Sequence, residues 1–397
     1  MKNRVVILAF LPVLLSACTN VKGSGDFVYP KLKKKEIGSV ESSLVERTAS
    51  LAIQDVEGYL ATSEENAVVS PASYLLATAG LSAVSDSFPN QSFGLLENSG
   101  ADLKALLGNW NFEYHKKEEY EERYCSFQSA VVHQQVGETY RFDQKKREKA
   151  VEDYVSTIVS KQNEYHADAE KLFHEEMGFK IPVPDPELTE DGVITYGAFK
   201  MKDYVPNGLG TADRLFLGKN VSSHTFGSIY HPSVLAYFKG ENYQVFLKGI
   251  ANTSLLIILP DEGIDLGSII PSAAYSAFMA GKRSVDAMGY IPYFHTHTEM
   301  ADLTEKVTAK MTGHEVFYSK LLADDVYNDL TLSAVLQSSD FEFNKYGVAG
   351  ESITMEVAAG ESMPEEHEVI HLEVNRPFYA ISIKDWFPLF VNKVVSL

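Results

Sequence analysis

"FEFNKYGVAGESITMEVAAGESMPEEHEVIHLEVNRPF", Phe341 to Phe378, is the stretch on which the reading of this chain turns. It opens like a β-strand at Phe341 and Phe343 and closes like one at Val369, Leu372 and Val374. Between those ends lie mostly Gly, Ala, Ser, Thr and Glu, with no obvious core face. A segment of that length without its own secondary structure is uncommon inside a compact domain, and is usually functional or disordered.

The surrounding chain is ordinary globular material. It has 397 residues, of which 45% are hydrophobic and 22% charged, so it can bury a sizeable core. Its formal charge of −19 argues against a nucleic-acid partner, which needs clustered cations to recover counterion-release energy. The one basic run, "KLKKK" at Lys31–Lys35, falls in a polar, glycine-containing stretch before the body of the chain.

The first residues, "MKNRVVILAFLPVLLSACTN", combine a basic start with an apolar run from Val5 to Leu15. That run is too short to cross a bilayer about 30 Å thick as a helix, and reads as a secretory leader. Leu15-Ser16-Ala17-Cys18 resembles the bacterial lipobox, which implies a signal peptide over 1–17, acylation of Cys18, and a flexible tether over 18–40. A lipid-anchored cell-envelope location follows, at an outer membrane or cell surface, with secretion as the alternative. With Cys18 so used, only Cys125 remains and no intramolecular disulfide can form.

Residues 41–397 offer no linker, repeat or low-complexity block, and are read as one domain. Glu41 to Leu60 has helical periodicity. Ser70-Pro71 is a start signal: the serine side chain caps orphan amides and the proline suits the first helical position. The helix that follows is apolar nearly all round and should be buried. "QKKREKAVEDYVSTIVSKQ" puts Val151, Tyr154, Val155, Ile158 and Val159 on one face of an expected amphipathic helix. "TSLLIILPDEG" reads as a buried strand stopped by Pro260, and "VDAMGYIPYFHTHTEMADL" as a strand leading into a helix. "FYAISI" and "PLFVNKVV" are closing strands. Helices early and strands late, without regular alternation, give an α+β class.

Enzyme signatures are missing: no phosphate loop, no G-x-S-x-G elbow, no H-E-x-x-H. The chain is therefore read as a non-enzyme with no cofactor. His295 and His297 share one strand face, but no third metal ligand stands nearby in sequence. Cys125 is read as an inert thiol, and "MPEEHEV" as a solvated acidic loop rather than a metal site.

Four motifs in order resemble the serpin family across residues 41–397. "ENAVVSPASYLLATAGLSA" (Glu65–Ala83) is like the opening of the family's central buried helix, and "SLLIILPDEG" (Ser254–Gly263) like its strand ending in Leu-Pro. "YIPYF" with "ADL" (Tyr290–Leu303) is like its V-x-x-P-K-F…Y-D-L. "NKYG", "VNRPFYAISI" and "PLFVNKV" are like its hinge, its post-loop strand and its closing strand. The resemblance implies helices around a large central mixed sheet, with an exposed reactive loop near the C-terminus. It also implies a monomeric inhibitor of serine or cysteine proteases. The target cleaves the loop, becomes trapped as an acyl-enzyme, and is distorted as the loop inserts into the central sheet.

An inserted strand turns alternate residues inward. Counting from Gly347, the inward set is Val348, Gly350, Ser352, Thr354, Glu356 and Ala358, small except for Glu356. Ala349, Glu351, Ile353, Met355 and Val357 face outward, so Glu351 need not lose its hydration. The hinge comprises Lys345, Gly347, Val348, Ala349, Gly350, Glu351 and Ser352. The polar cluster where the family's strands part corresponds to Ser70, Ser73, Thr195, Ser333 and Gln337. Four departures weigh against fast insertion: Lys345-Tyr346 before the hinge glycine, Glu351 in the hinge, Asp203 for a tryptophan, and Asn392 for a glycine.

The family's spacing puts the scissile bond at Glu361-Ser362, which suits a Glu-specific protease; Ala358-Ala359 would suit an elastase-like one, and Pro364 disfavours Met363. The acidic composition argues against a polyanionic activator, which needs clustered Lys and Arg. A non-inhibitory binding or structural lipoprotein is the competing reading.

Overall fold

The computed structural model describes residues 25–28, 40–85, 87–97, 99–110, 112–115, 122–135, 141–153, 155–185, 192–204, 209–229, 234–250, 253–313, 316–317, 319–324, 330–350 and 369–397. They form two mixed β-sheets with helices around them, the α+β arrangement expected.

The first sheet runs β1 (Asp26–Val28), β5 (Val155–Lys161), β4 (Glu122–Gln135), β6 (Gly192–Tyr204), β16 (Gly347–Gly350), β15 (Leu330–Asn344) and β13 (Phe294–Asp302). β3 (Phe112–His115) pairs with β4, and β14 (Val316–Phe317) with β15. The second runs β2 (Ala67–Val69), β19 (Phe387–Val394), β18 (Phe378–Lys384), β11 (Ser254–Pro260), β10 (Tyr243–Gly249), β9 (Val234–Lys239), β12 (Arg283–Pro292), β8 (Val221–Ile229) and β7 (Thr211–Leu217). β17 (Val369–Glu373) lies parallel on β12. Every residue of β18 and β19 is buried, as continuous apolar runs covered on both faces should be.

The helices are α1 (Ser42–Thr62), α2 (Pro71–Ala83), α3 (Ser99–Trp110), α4 (Gln144–Ala150), α5 (Tyr165–Glu170), α6 (Pro271–Gly281) and α7 (Thr304–Lys310). α2 begins where Ser70 predicts: its side chain accepts from the Ser73 amide at 3.1 Å, and Pro71 occupies the first turn. Residues Pro71 to Ser82 are all buried, with α2 against β6 of one sheet and β19 of the other.

Two local expectations change. The helix begun at Gln144 stops at Ala150, and the run Val155–Lys161 becomes β5 instead of continuing it. Its β-branched residues fit a strand between β4 and β1, where they are buried on both faces rather than along one stripe. The segment expected as one strand and a helix is two strands, β12 and β13, interrupted at Tyr293, before α7.

A second, smaller core forms on the outer face of the first sheet. Ala130, Val132, Ile158, Ile194 and Tyr196 meet Tyr165, Leu172, Phe173 and Phe179 from α5 and the π-helical turn Lys171–Glu176 that extends it. Within the segment read as tether, Gly25–Val28 is docked on the body, with β1 paired to β5. Cys18 and the Lys31–Lys35 run lie outside the described residues.

Candidate functional site

β6 and β15 form a seam that changes along its length. At one end they pair directly in parallel: Val193 with Leu332, Ile194 with Ala334, Thr195 with Val335. At the other, β16 lies between them, antiparallel to both, with Val348 between Asp203 and Phe343. In between, residues 196–200 of β6 and 336–340 of β15 have no described partner across the seam. A cavity of about 40 Å³ occupies that interval. Ser73, Gly197, Gln337, Ser339 and Phe390 line it, and Phe173, Phe179 and residues 181–184 wall its outer side.

The hinge geometry follows from local chemistry. β15 ends at Asn344, whose side-chain oxygen accepts from the Tyr346 amide at 2.8 Å. Lys345 and Tyr346 form the exposed turn, and the Lys345 carbonyl accepts from the Leu209 amide at 2.9 Å. Gly347 then adopts φ 136°, a conformation open to glycine and strained for other residues. Val348 is 2% exposed while Ala349 is partly exposed, so the described part of the strand alternates in the expected sense. The strand is described to Gly350; Glu351, Ser352, Glu361 and Ser362 lie outside the described residues.

Beneath the seam the polar cluster is partly assembled. Gln337 clamps Ser70, its Oε1 accepting from the Ser70 amide at 2.6 Å and its Nε2 donating to the Ser70 carbonyl at 2.8 Å. The Ser70 hydroxyl donates to the Leu389 carbonyl at 2.7 Å while capping Ser73. Thr195 is buried but bonds elsewhere on α2, donating to the Ala77 carbonyl at 2.8 Å. Ser333 lies in β15, and its side chain is outside the described residues.

Sequence reasoning missed two members. Ser339 donates to Gln337 Oε1 at 3.2 Å, and its place two residues after Gln337 on the same strand face could have marked it. Gly197 lets β6 press on α2: a Cβ there would stand 1.8 Å from the Ser73 carbonyl oxygen. Nothing in the sequence signals that approach.

Two departures from the family pattern have local explanations. Buried Asp203 accepts through Oδ2 from both the amide and the hydroxyl of Thr253, each at 3.1 Å, tying β6 to the start of β11. Buried Asn392 donates to the Ala380 carbonyl at 2.9 Å and accepts from the Thr296 hydroxyl at 2.6 Å, joining the two sheets. On the outer face, His295 and His297 share Asp340 Oδ2, at 2.8 and 3.2 Å. Among the described residues no group of three or more His, Cys, Asp or Glu is arranged to hold a metal. Cys125 lies in β4.

The family model for serpins, serine protease inhibitors, matches residues 211–397. Tengpin, a thermophilic serpin in its native state, is similar at 17% identity and a TM-score of 0.66, covering 93% of this chain and 98% of that one. Human thyroxine-binding globulin, complexed with its hormone, is similar at 18% identity and 0.65, covering 89% and 99%. Serpin48 of the insect Tenebrio molitor is similar at 19% and 0.62, covering 91% and 100%. No curated protein sequence matches the chain. At these identities the structural likenesses establish the fold.

Proposed function

We propose that the chain is a member of the serpin family, whose model matches residues 211–397, and that it is a suicide inhibitor of serine proteases, with cysteine proteases as a second target class. The observation that carries this reading is β16: the first residues of the loop already sit as a strand between β6 and β15, at the head of an interval with no partner across the seam among the described residues. Extending its register down the seam would bring Thr354 opposite Gln337 and Gly197, and Glu356 opposite Val335 and Thr195. The added residues would gain backbone hydrogen bonds to β6 and β15 alternately, about 0.5–1.5 kcal/mol per bond. That gain would drive the cleaved loop inward with the acylated protease attached.

In this reading Glu361-Ser362 is the bond attacked, by a Glu-specific protease, with an elastase-like enzyme acting at Ala358-Ala359 as the alternative register. Cys18 carries a lipid that holds a monomeric inhibitor at the cell envelope. The test is incubation with a protease panel containing both classes, followed by denaturing gels. The expected result is a stable covalent complex; cleaved loop alone, with every enzyme left active, overturns inhibition.

A non-inhibitory serpin-fold lipoprotein is the second reading. It is favoured by the directly paired end of the seam, where inward Glu356 would displace the Val335–Thr195 pairing and lose its hydration. Thyroxine-binding globulin, similar in fold, is solved in complex with thyroxine. A large rise in melting temperature after the loop is nicked would exclude a role without insertion.

A further inference from the structure

The N-terminal strand occupies a site built from side chains that need it. Arg147 on α4 is 1% exposed, yet its carboxylate partner is Asp26, far away in sequence. Its guanidinium also donates to the Asp26 carbonyl, and to Thr157 of β5 at the hydroxyl (3.1 Å) and the carbonyl (3.2 Å). Asp168 on α5 is fully buried, and its Oδ1 accepts from the Gly25 amide at 2.6 Å. Its Oδ2 has no hydrogen-bond partner among the described residues. Phe27 packs against the smaller core, and the Lys171 ammonium lies 5.1 Å from its ring centre. Three antiparallel register pairs with β5 complete the fit.

A buried cation and a buried carboxylate, both reached by four residues of one short segment, make a socket costly to leave empty. Its ligand chemistry is an extended peptide that presents an amide, then a carboxylate, then an aromatic ring. The same socket includes α5, whose continuation through Phe173, Phe179 and residues 181–184 walls the outer side of the seam. Tyr196 and Lys200 of β6 also hold that cover, donating to the Pro184 carbonyl at 3.2 Å and the Met177 carbonyl at 3.0 Å.

We infer that Gly25–Val28 is a detachable strand in a peptide-binding socket made by β5, Arg147 and Asp168, and that its seating pins α5 over the seam. Release of the strand loosens the cover and lets the loop advance between residues 196–200 and 336–340 more readily. The inference rests on the proposed use of the seam by the loop, but needs no protease to act.

The test uses the full chain carrying Asp26→Ala and Phe27→Ala together. Hydrogen exchange is followed in β5, α5 and α2, and the uncleaved chain is held at raised temperature while conversion to a denaturant-resistant form is timed. Expected are faster exchange in β5 and α5, unchanged exchange in α2, and conversion at least about tenfold faster, a barrier change of roughly 1.4 kcal/mol. Unchanged exchange in α5, an unchanged conversion rate, or protection lost equally across the body each overturns the inference. Should the double variant not fold, Gly25→Ala serves instead, because its Cβ would stand 2.6 Å from Asp168 Cγ. A missing covalent complex with proteases sinks inhibition while leaving these rates to decide the strand's role.

Discussion

The two ends of the β6–β15 seam hold together by different means. At one end Val193–Thr195 pair directly with Leu332–Val335, and separating them breaks backbone hydrogen bonds. At the other, Gly347–Gly350 has taken the place between the strands and satisfies both edges. A small cavity marks the change, over a floor where Gln337 holds the first residue before α2. On the proposed reading the sheet would be extended from within, the entering loop supplying backbone bonding in exchange for that of the paired end.

The largest expected effect breaks that progression outright. Thr354 would reach the cavity level on insertion, facing inward beside Gln337, so Thr354→Arg should place an unpaired charge in the core at several kcal/mol. The variant should still be cleaved by its target but form no covalent complex on a denaturing gel. Complex formation at the wild-type level would mean that the loop does not follow the β16 register.

The directly paired end can be probed by acid. His133 of β4 stands beside Val193 and packs its ring 4.8 Å from Phe142. Burial, with the nearby Arg147 charge adding to it, holds its pKa down to about 3 from the ordinary 6.5. The unfolded chain therefore binds one more proton between those values, and stability falls as pH drops through that window, by up to about 1.4 kcal/mol per unit. Urea unfolding at pH 7, 5.5 and 4.5 should show the wild type losing more than His133→Leu. Parallel curves would remove His133 from the acid response.

The floor of the cavity comes next in size. Gln337→Leu would leave the buried Ser70 amide unpaired, at about 1–3 kcal/mol, while the Ser70 carbonyl keeps the Tyr74 amide as donor at 3.0 Å. Thermal unfolding should register the loss, and hydrogen exchange should place it at the start of α2. A change confined to β13, where Ala301 pairs with Gln337, would show that Gln337 works through that strand instead.

The parts of this fold written as local chemistry were legible in the sequence. Ser70-Pro71 starts α2, Pro260 ends β11, and Gly347 turns the hinge, because each acts through its own backbone. At Val348, buried, and Ala349, partly exposed, the expected alternation was readable for the same reason: strand parity is a property of the chain alone. The strand at Val155–Lys161 was not, since a run with apolar residues on both strand faces also satisfies a helical stripe; neighbours decide between them. Gly197 and Ser339 belong to the site only because β6 and β15 cross α2 where they do. The seating of Gly25–Val28 depends on Arg147 and Asp168, which no spacing connects to it.

The smallest effect sharpens the account of the inserted end. Asp203, opposite Val348, departs from the family's tryptophan, and a carboxylate under an arriving strand reads as an obstacle in the sequence. The structure gives it two donors from Thr253, so its charge is answered from β11 rather than opposed by the hinge. Asp203→Asn keeps the shape and one acceptor oxygen while removing the charge, and should cost about 0.5–1.5 kcal/mol. Its insertion rate after loop cleavage should stay within about twofold of wild type, because the residue supports the β6 end rather than gating it. A marked acceleration would mean that the carboxylate resists the strand above it, and that the inserted end of the seam is held under tension.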